Sequence, residues 1–199
     1  WKSVQIVLDA IFADGDSAAA VPAAAALKRV VGWPLARYAA GQHALESNQL
    51  QLARRAQADL QGFHGNGADS VDAVEQARGF ALILQAQIAA RQRSPVAAEW
   101  LRQLDSVLTN SVGEDAPLFG NLVAARLHAD RGELAAALAA VRRRQRGGEL
   151  WPAYVNYHIE EGRLAALTGD TTGAIRAYRR YLGIRGDAGE HIGRSQRPL

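Results

Sequence analysis

The sequence contains neither cysteine nor methionine among its 199 residues. Without cysteine the chain forms no disulfide and offers no thiolate nucleophile or cysteine zinc ligand. Because it begins at Trp1 instead of methionine, we expect a processed product or, by preference, a piece of a longer protein. No basic region followed by an apolar run marks a signal peptide, and no apolar run is long enough to cross a bilayer. Membrane insertion of this segment is therefore not expected, although a membrane-anchored parent protein stays open.

Aromatic residues are scarce, at 7%, and neither sign of charge dominates. The 23 Lys and Arg residues exceed the 20 Asp and Glu residues by only three, which is too few to predict direct binding of nucleic acid. A hydrophobic fraction of 48% is ordinary for a folded chain. Much of that fraction is alanine, whose small side chain lets helices approach closely. The composition therefore favours helix-on-helix packing and an all-α fold.

Short turn signals divide the chain into helical segments. Each carries a Gly or Asn that accepts a left-handed backbone, next to polar residues that start the following helix. The signals lie at 13–17, 45–49, 129–133 and 167–171. In the clearest unit, Gly162 precedes the turn residue Gly169 by seven positions, and Ala174 follows it by five. Tyr178 and Tyr181 follow the turn residue by nine and twelve positions, which completes a candidate repeat.

Four more units fit this template, two of them loosely. Their residues are Leu8, Gly15, Ala20 and Leu27; Gly41, Asn48, Ala53 and Leu60; Leu84, Gln92, Ala97, Leu101 and Leu104; and Ala125, Gly132, Ala137 and Val141. The turn positions 15, 48, 92, 132 and 169 are 33, 44, 40 and 37 residues apart. This pattern resembles the tetratricopeptide repeat (TPR), whose period is about 34 residues. The resemblance implies a right-handed α-solenoid of about five helical hairpins over residues 1–185. Residues 186–199 contain Gly, Arg, Ser and Pro without periodicity, so we expect a flexible tail there.

The predicted helices form five pairs. They cover 2–13 and 17–30, 34–46 and 49–62, 70–91 and 95–109, 117–130 and 133–146, and 151–168 and 171–184. Most prolines fall near predicted helix starts, where the missing N–H costs little.

Catalytic and metal-binding motifs are missing from the sequence. No two of the five histidines have His-Glu-x-x-His spacing, and His158 with Glu161 still needs a further ligand for zinc. Asp16 and Asp69 fit helix starts better than a calcium loop. Neither a Gly-x-Ser-x-Gly elbow nor a phosphate-binding loop occurs. We therefore expect a protein without catalytic activity, metal or cofactor.

In tetratricopeptide proteins the first helix of each hairpin lines a concave face that usually receives an extended peptide or a partner helix. The equivalent positions of this sequence are Tyr38, Gln42, Phe119, Leu122, Arg126, Asn156, Ile159 and Arg163. Arg126 and Arg163 take the same repeat position, so both guanidinium groups are expected to face one groove. With Asn156 they would hold a carboxylate through charge-assisted hydrogen bonds. The alternative is that each arginine is solvated or pairs with a nearby glutamate.

Residues 161–185, EGRLAALTGDTTGAIRAYRRYLGIR, resemble the repeat regions that follow the kinase domain of some bacterial serine/threonine kinases. They are also similar to the bacterial transcriptional activator domain. Both resemblances imply a regulatory or sensory part of a larger protein, and the kinase's own motifs are absent here. We expect a scaffold that binds a protein or peptide. An accessory module of a transcriptional activator, a free-standing secreted or periplasmic adaptor and an all-helical enzyme stay open, as do the oligomeric state and the compartment, with the cytoplasm slightly favoured.

Overall fold

Regular secondary structure in the described part of the chain consists of α-helices. The structure is a computed structural model that describes residues 34–65, 70–110, 115–143 and 152–195. The helices in these ranges are α1 (Pro34–Glu46), α2 (Leu50–Gln61), α3 (Ser70–Arg91), α4 (Ala97–Asn110), α5 (Asp115–Asp130), α6 (Leu134–Arg142), α7 (Pro152–Leu167) and α8 (Thr171–Ser195). The predicted all-α class is therefore confirmed for these ranges. The helices predicted at 2–13 and 17–30 lie outside them.

The helix boundaries follow the predicted ones within a few residues at most ends. The main difference is α8, which continues to Ser195 and so makes residues 186–195 helical, where an aperiodic tail was expected. Isolated glycines such as Gly183 each cost a helix only about 1 kcal/mol relative to alanine, which is too little to end it. The flexibility of this segment stays a prediction. None of the helices in the described ranges combines the length and the apolar character needed to span a membrane.

Four helix pairs are joined by the same kind of turn. The turn residue has a positive φ in each pair: 56° at Asn48, 51° at Arg93, 78° at Gly132 and 80° at Gly169. The amide of the next residue bonds to the carbonyl five positions earlier, as from Asp170 to Ala165 at 2.8 Å. This is the Schellman arrangement, which satisfies carbonyl groups that the helix end leaves free. The recurrence of one turn geometry makes the architecture repeat-like.

The predicted turn residues Asn48, Gly132 and Gly169 are confirmed, whereas the prediction of Gln92 is wrong by one position, because Arg93 has the positive φ. Five residues separate α3 from α4, against three in each of the other hairpins. Arginine is rare in the left-handed region, which costs a residue with a Cβ roughly 1–2 kcal/mol. The sequence therefore gives little sign of this turn.

The helices pack in chain order, and the first helices of successive hairpins also contact one another. Each described helix packs against the next, and α1 contacts α3, α3 contacts α5 and α5 contacts α7. Close approach depends on small residues at the crossings. A Cβ built at Gly41 of α1 would lie 2.5 Å from Leu84 of α3 and 3.2 Å from Ala56 of α2. Glycine at this position therefore lets three helices meet.

A row of aromatic side chains fills the space between α1, α3 and α5. The ring of Tyr38 stacks on that of Phe80 with centroids 4.5 Å apart and planes 12° apart. Phe119 lies 5.7 Å from Tyr38 and 6.1 Å from Phe80. Aromatic pairs in such offset and tilted arrangements add about 0.5–1.5 kcal/mol each beyond their buried area. This row holds the three helices together.

Candidate functional site

A cavity of about 560 Å³ opens between the C-terminal halves of α1, α3 and α5. The α3–α4 turn and the first residues of α4 close one side of it. Its floor is apolar and is formed by the buried side chains of Leu45, Ala86, Leu101, Leu122 and Val123. Burial of one aliphatic side chain is worth about 1.5–3 kcal/mol, so such a floor is suited to an apolar group of a ligand.

Two glutamines bridge α1 and α3 in this cavity. The amide nitrogen of Gln42 donates to the side-chain oxygen of Gln87, and the nitrogen of Gln87 donates back at 3.1 Å. The Gln42 nitrogen also donates to the Tyr38 hydroxyl at 2.9 Å. Gln42 is only 6% exposed, so the reciprocal bonds satisfy an amide that would otherwise be costly to bury. The pair fixes the relative position of the two helices.

The phenol of Tyr38 is held in its neutral form. Burial raises the pKa of Tyr38 above its usual range, and the hydrogen bond from Gln42 opposes that rise only in part. A neutral phenol that already accepts an amide hydrogen bond can orient neighbouring polar groups. It does not release a proton near neutral pH.

Charged side chains surround the apolar floor, and arginine predominates among them. The rim contains four arginines, at positions 91, 93, 126 and 131, and two acids, Glu46 and Asp130. Arg131 is engaged by Glu133, with 2.8 Å between Nε and Oε1. Desolvation raises the pKa of Glu46, and this effect outweighs the opposing attraction of Arg126 and Arg91. The rim thus has a net formal charge of plus two.

Of the eight residues predicted to bind a partner, four line the cavity: Tyr38, Gln42, Leu122 and Arg126. Tyr38 and Leu122 are only 1% and 2% exposed, so they contribute mainly to its wall and floor. Phe119, Asn156, Ile159 and Arg163 are not part of its lining. Phe119 is 2% exposed and belongs to the aromatic row.

The structure does not bring Arg126 and Arg163 together around this cavity. Both Nε and Nη2 of Arg163 donate to the carboxylate of Glu160, with 3.0 Å from Nε. Asp130 at the cavity rim also acts electrostatically on Arg163. Arg163 therefore adopts the alternative role, pairing with a nearby glutamate, and a clamp formed by both arginines stays a prediction.

Sequence reasoning missed the contribution of α3 to the cavity. Gln42, Arg126 and Arg163 each lie six residues before their turn residue, and counting six back from Arg93 gives Gln87. The prediction of Gln92 as the turn residue shifted this count by one position. Phe80 likewise lies thirteen residues before its turn residue, as Phe119 does. The correct turn position was the signal that would have identified both.

A second polar cluster joins α4, α5 and α6 away from the cavity lining. The ring nitrogens of His128 lie 2.6 Å from Asp105 and 2.6 Å from Glu133. Arg143 donates to the other oxygen of Asp105 and, at 2.9 Å, to Asn121. The hydrogen bond with His128 lowers the pKa of Glu133 below its usual value. Every charged member has a partner of opposite sign, so the cluster's role is to connect three helices.

Within the described ranges, no group of three or more His, Asp or Glu residues could hold a metal ion. Comparisons with protein-family models, with curated proteins and with solved structures find no match for this chain. The features that bear on function are therefore the cavity and the repeat-like arrangement of the helices.

Proposed function

We propose that the helices form a right-handed α-solenoid of TPR-like hairpins that binds a protein or peptide. The proposal is supported by the four Schellman turns and by the contacts that link α1, α3, α5 and α7 in succession. In a solenoid of this kind the first helices line the concave face. Together with the helix pair predicted before residue 34, the array would have about five hairpins.

The observation that carries the proposal is the location of the cavity on the first helices α1, α3 and α5. Its size falls within the range of about 300–1,000 Å³ found for ligand sites, which also combine an apolar surface with a few placed polar groups. Grooves of this type accept apolar anchors of a bound peptide while polar groups at the edge fix its register. The floor, the Gln42–Gln87 pair and the arginine-rich rim supply these elements.

The proposed activity is binding without catalysis or cofactor. The Gln42–Gln87 pair supplies polar groups suited to orient a ligand, and the arginines are suited to attract one. A role as a regulatory or sensory segment of a larger bacterial protein rests only on the resemblance of residues 161–185 and stays a prediction.

The test is selection of binding peptides from a displayed random library, followed by affinity measurements with two variants. Ala90→Trp places a large ring at the half-buried edge of the cavity. Ala136→Trp places the same ring on the exposed surface of α6 as a control. The proposal predicts that Ala90→Trp abolishes binding and Ala136→Trp does not. Selected peptides that bind both variants as they bind the unmodified chain would contradict it.

A further inference from the structure

The arginines of the cavity rim differ in whether they already form a salt bridge with a carboxylate. Arg131 is paired with Glu133, but Arg91, Arg93 and Arg126 have no carboxylate within 4.0 Å in the described part of the chain. All three are exposed at the cavity edge. Their guanidinium groups keep their donors available, and those donors match carboxylate oxygens in geometry as well as in charge.

Glu46 is an acid of the rim that acts on two of these arginines. It lines the same cavity at the end of α1 and interacts electrostatically with both Arg126 and Arg91. The other acid of the rim, Asp130, acts on Arg163. Glu46 thus shares the cavity rim with these arginines without forming a salt bridge to them, and its negative charge would repel another carboxylate there.

We propose that the cavity takes an acidic segment of a partner protein, with apolar side chains on the floor and carboxylates at Arg91, Arg93 and Arg126, and that Glu46 weakens this binding as an internal competitor. The inference rests on the proposed function and adds the charge of the partner. It follows from charge complementarity, since four arginines and two acids surround an apolar floor, and three of these arginines have no carboxylate within 4.0 Å in the described ranges.

The arginines have a competing role that the experiment must separate. Arg91 lies in the last turn of α3 and Arg126 lies just before the last turn of α5, and a cation near a helix C-terminus complements the helix dipole by about 0.3–1 kcal/mol. If that were their whole role, Arg126→Ala would lower the melting temperature and leave ligand affinity unchanged. Melting temperature and affinity are therefore measured on the same samples.

The probe is a labelled peptide of alternating glutamate and leucine, compared by fluorescence anisotropy with peptides in which glutamine or lysine replaces glutamate. The acidic peptide should bind best, and added salt should weaken its binding. Arg126→Ala should reduce its affinity about tenfold, as expected for loss of a charge-assisted bond. Glu46→Gln should raise its affinity about threefold, as expected for removing a charge at an exposed site. Arg55→Ala removes an exposed arginine of α2 outside the cavity and should leave the affinity for the acidic peptide unchanged.

Three results would overturn the inference. If the acidic and glutamine peptides bind equally well and Ala90→Trp abolishes both, the cavity binds peptides but does not prefer acidic ones. Unchanged or weaker affinity in Glu46→Gln would remove the competing role of Glu46. Failure of every peptide to bind the unmodified chain would count against both the inference and the proposed function.

Discussion

The ring of Tyr178 on α8 lies directly against Gly162 on α7. A Cβ built at Gly162 would come within 2.7 Å of Cε1 of that ring, closer than real Cβ contacts allow. The two residues belong to the same hairpin, so the absence of a side chain at one position sets how closely its helices pack. Gly183, further along α8, has no atom within 4 Å of its hypothetical Cβ.

We predict opposite effects for the same substitution at these two glycines. Gly162→Ala should lower the free energy of unfolding by about 1–3 kcal/mol, because the ring must shift to admit a methyl group. Gly183→Ala should raise it by about 0.5–1 kcal/mol, because alanine is the better helix former and the site is open. Urea unfolding followed by circular dichroism measures both values. Equal effects at the two positions would contradict the packing described at Gly162.

The sequence predicts the helices of this chain well because their signals are local. Gly132, Gly169 and Asn48 accept a left-handed backbone and therefore indicate where a helix ends. Arg93 takes the same conformation without such a signal, which explains the misplaced turn. The repeat template could not correct the position of this turn, because the α3–α4 connection is two residues longer than the others.

The candidate site was predicted less completely because its side chains are positioned by distant contacts. Tyr38 stacks on Phe80, 42 positions away, and neither residue's neighbours in the sequence indicate this. A repeat template places a residue on the concave side of a helix but does not tell whether the next hairpin covers it. Phe119 is the example: its position was assigned to a partner, and its ring is buried between helices.

The Gln42–Gln87 pair should behave as a coupled unit. Gln42→Leu or Gln87→Leu alone should destabilise the fold by about 1–2 kcal/mol, since each leaves a partly buried amide without its partner. The double variant should cost less than the sum of the two, because no unpaired amide remains. A double-mutant cycle from urea unfolding measures the coupling. Additive effects would mean that the two amides do not depend on each other.

Asp105 should contribute far more to stability than Glu99, although both are acids on α4. Asp105 hydrogen-bonds with His128 and accepts a hydrogen bond from Arg143, and these two side chains are 10% and 28% exposed. Asp105→Ala should therefore cost about 1–3 kcal/mol. Glu99 pairs with Arg102, which is 73% exposed, so Glu99→Ala should cost no more than about 0.5 kcal/mol. Thermal and urea unfolding compare the two, and similar losses would show that the cluster does not connect the helices as described.

Asp170 should link stability to pH. The hydrogen bond from Arg142 and, next, the backbone bond from Gly173 hold the pKa of this carboxyl below its usual value. Because the folded-state pKa lies below the unfolded value of about 3.9, the ionised carboxylate stabilises the folded state. This stabilisation is complete above about pH 3.9 and is lost as the pH falls through the folded-state pKa.

Asp170→Asn isolates this charge, because asparagine keeps an oxygen that can accept the bond from Gly173 at the start of α8. The variant should melt at a lower temperature than the unmodified chain at about pH 7, and the difference should shrink as the pH falls below about 3.9. Melting curves across this range provide the comparison. A difference that stays constant with pH would show that the carboxylate charge is not the cause.

The most direct test of the account is an amide ¹H–¹⁵N NMR titration of the chain with the alternating glutamate–leucine peptide. Binding in the cavity predicts shifts that concentrate at the ends of α1, α3 and α5, including residues 42–46, 86–93 and 122–131. Ala90→Trp should abolish those shifts. Shifts confined to the exposed apolar residues of α8, Ile175, Tyr178 and Leu182, would place the binding surface elsewhere and contradict the central claim.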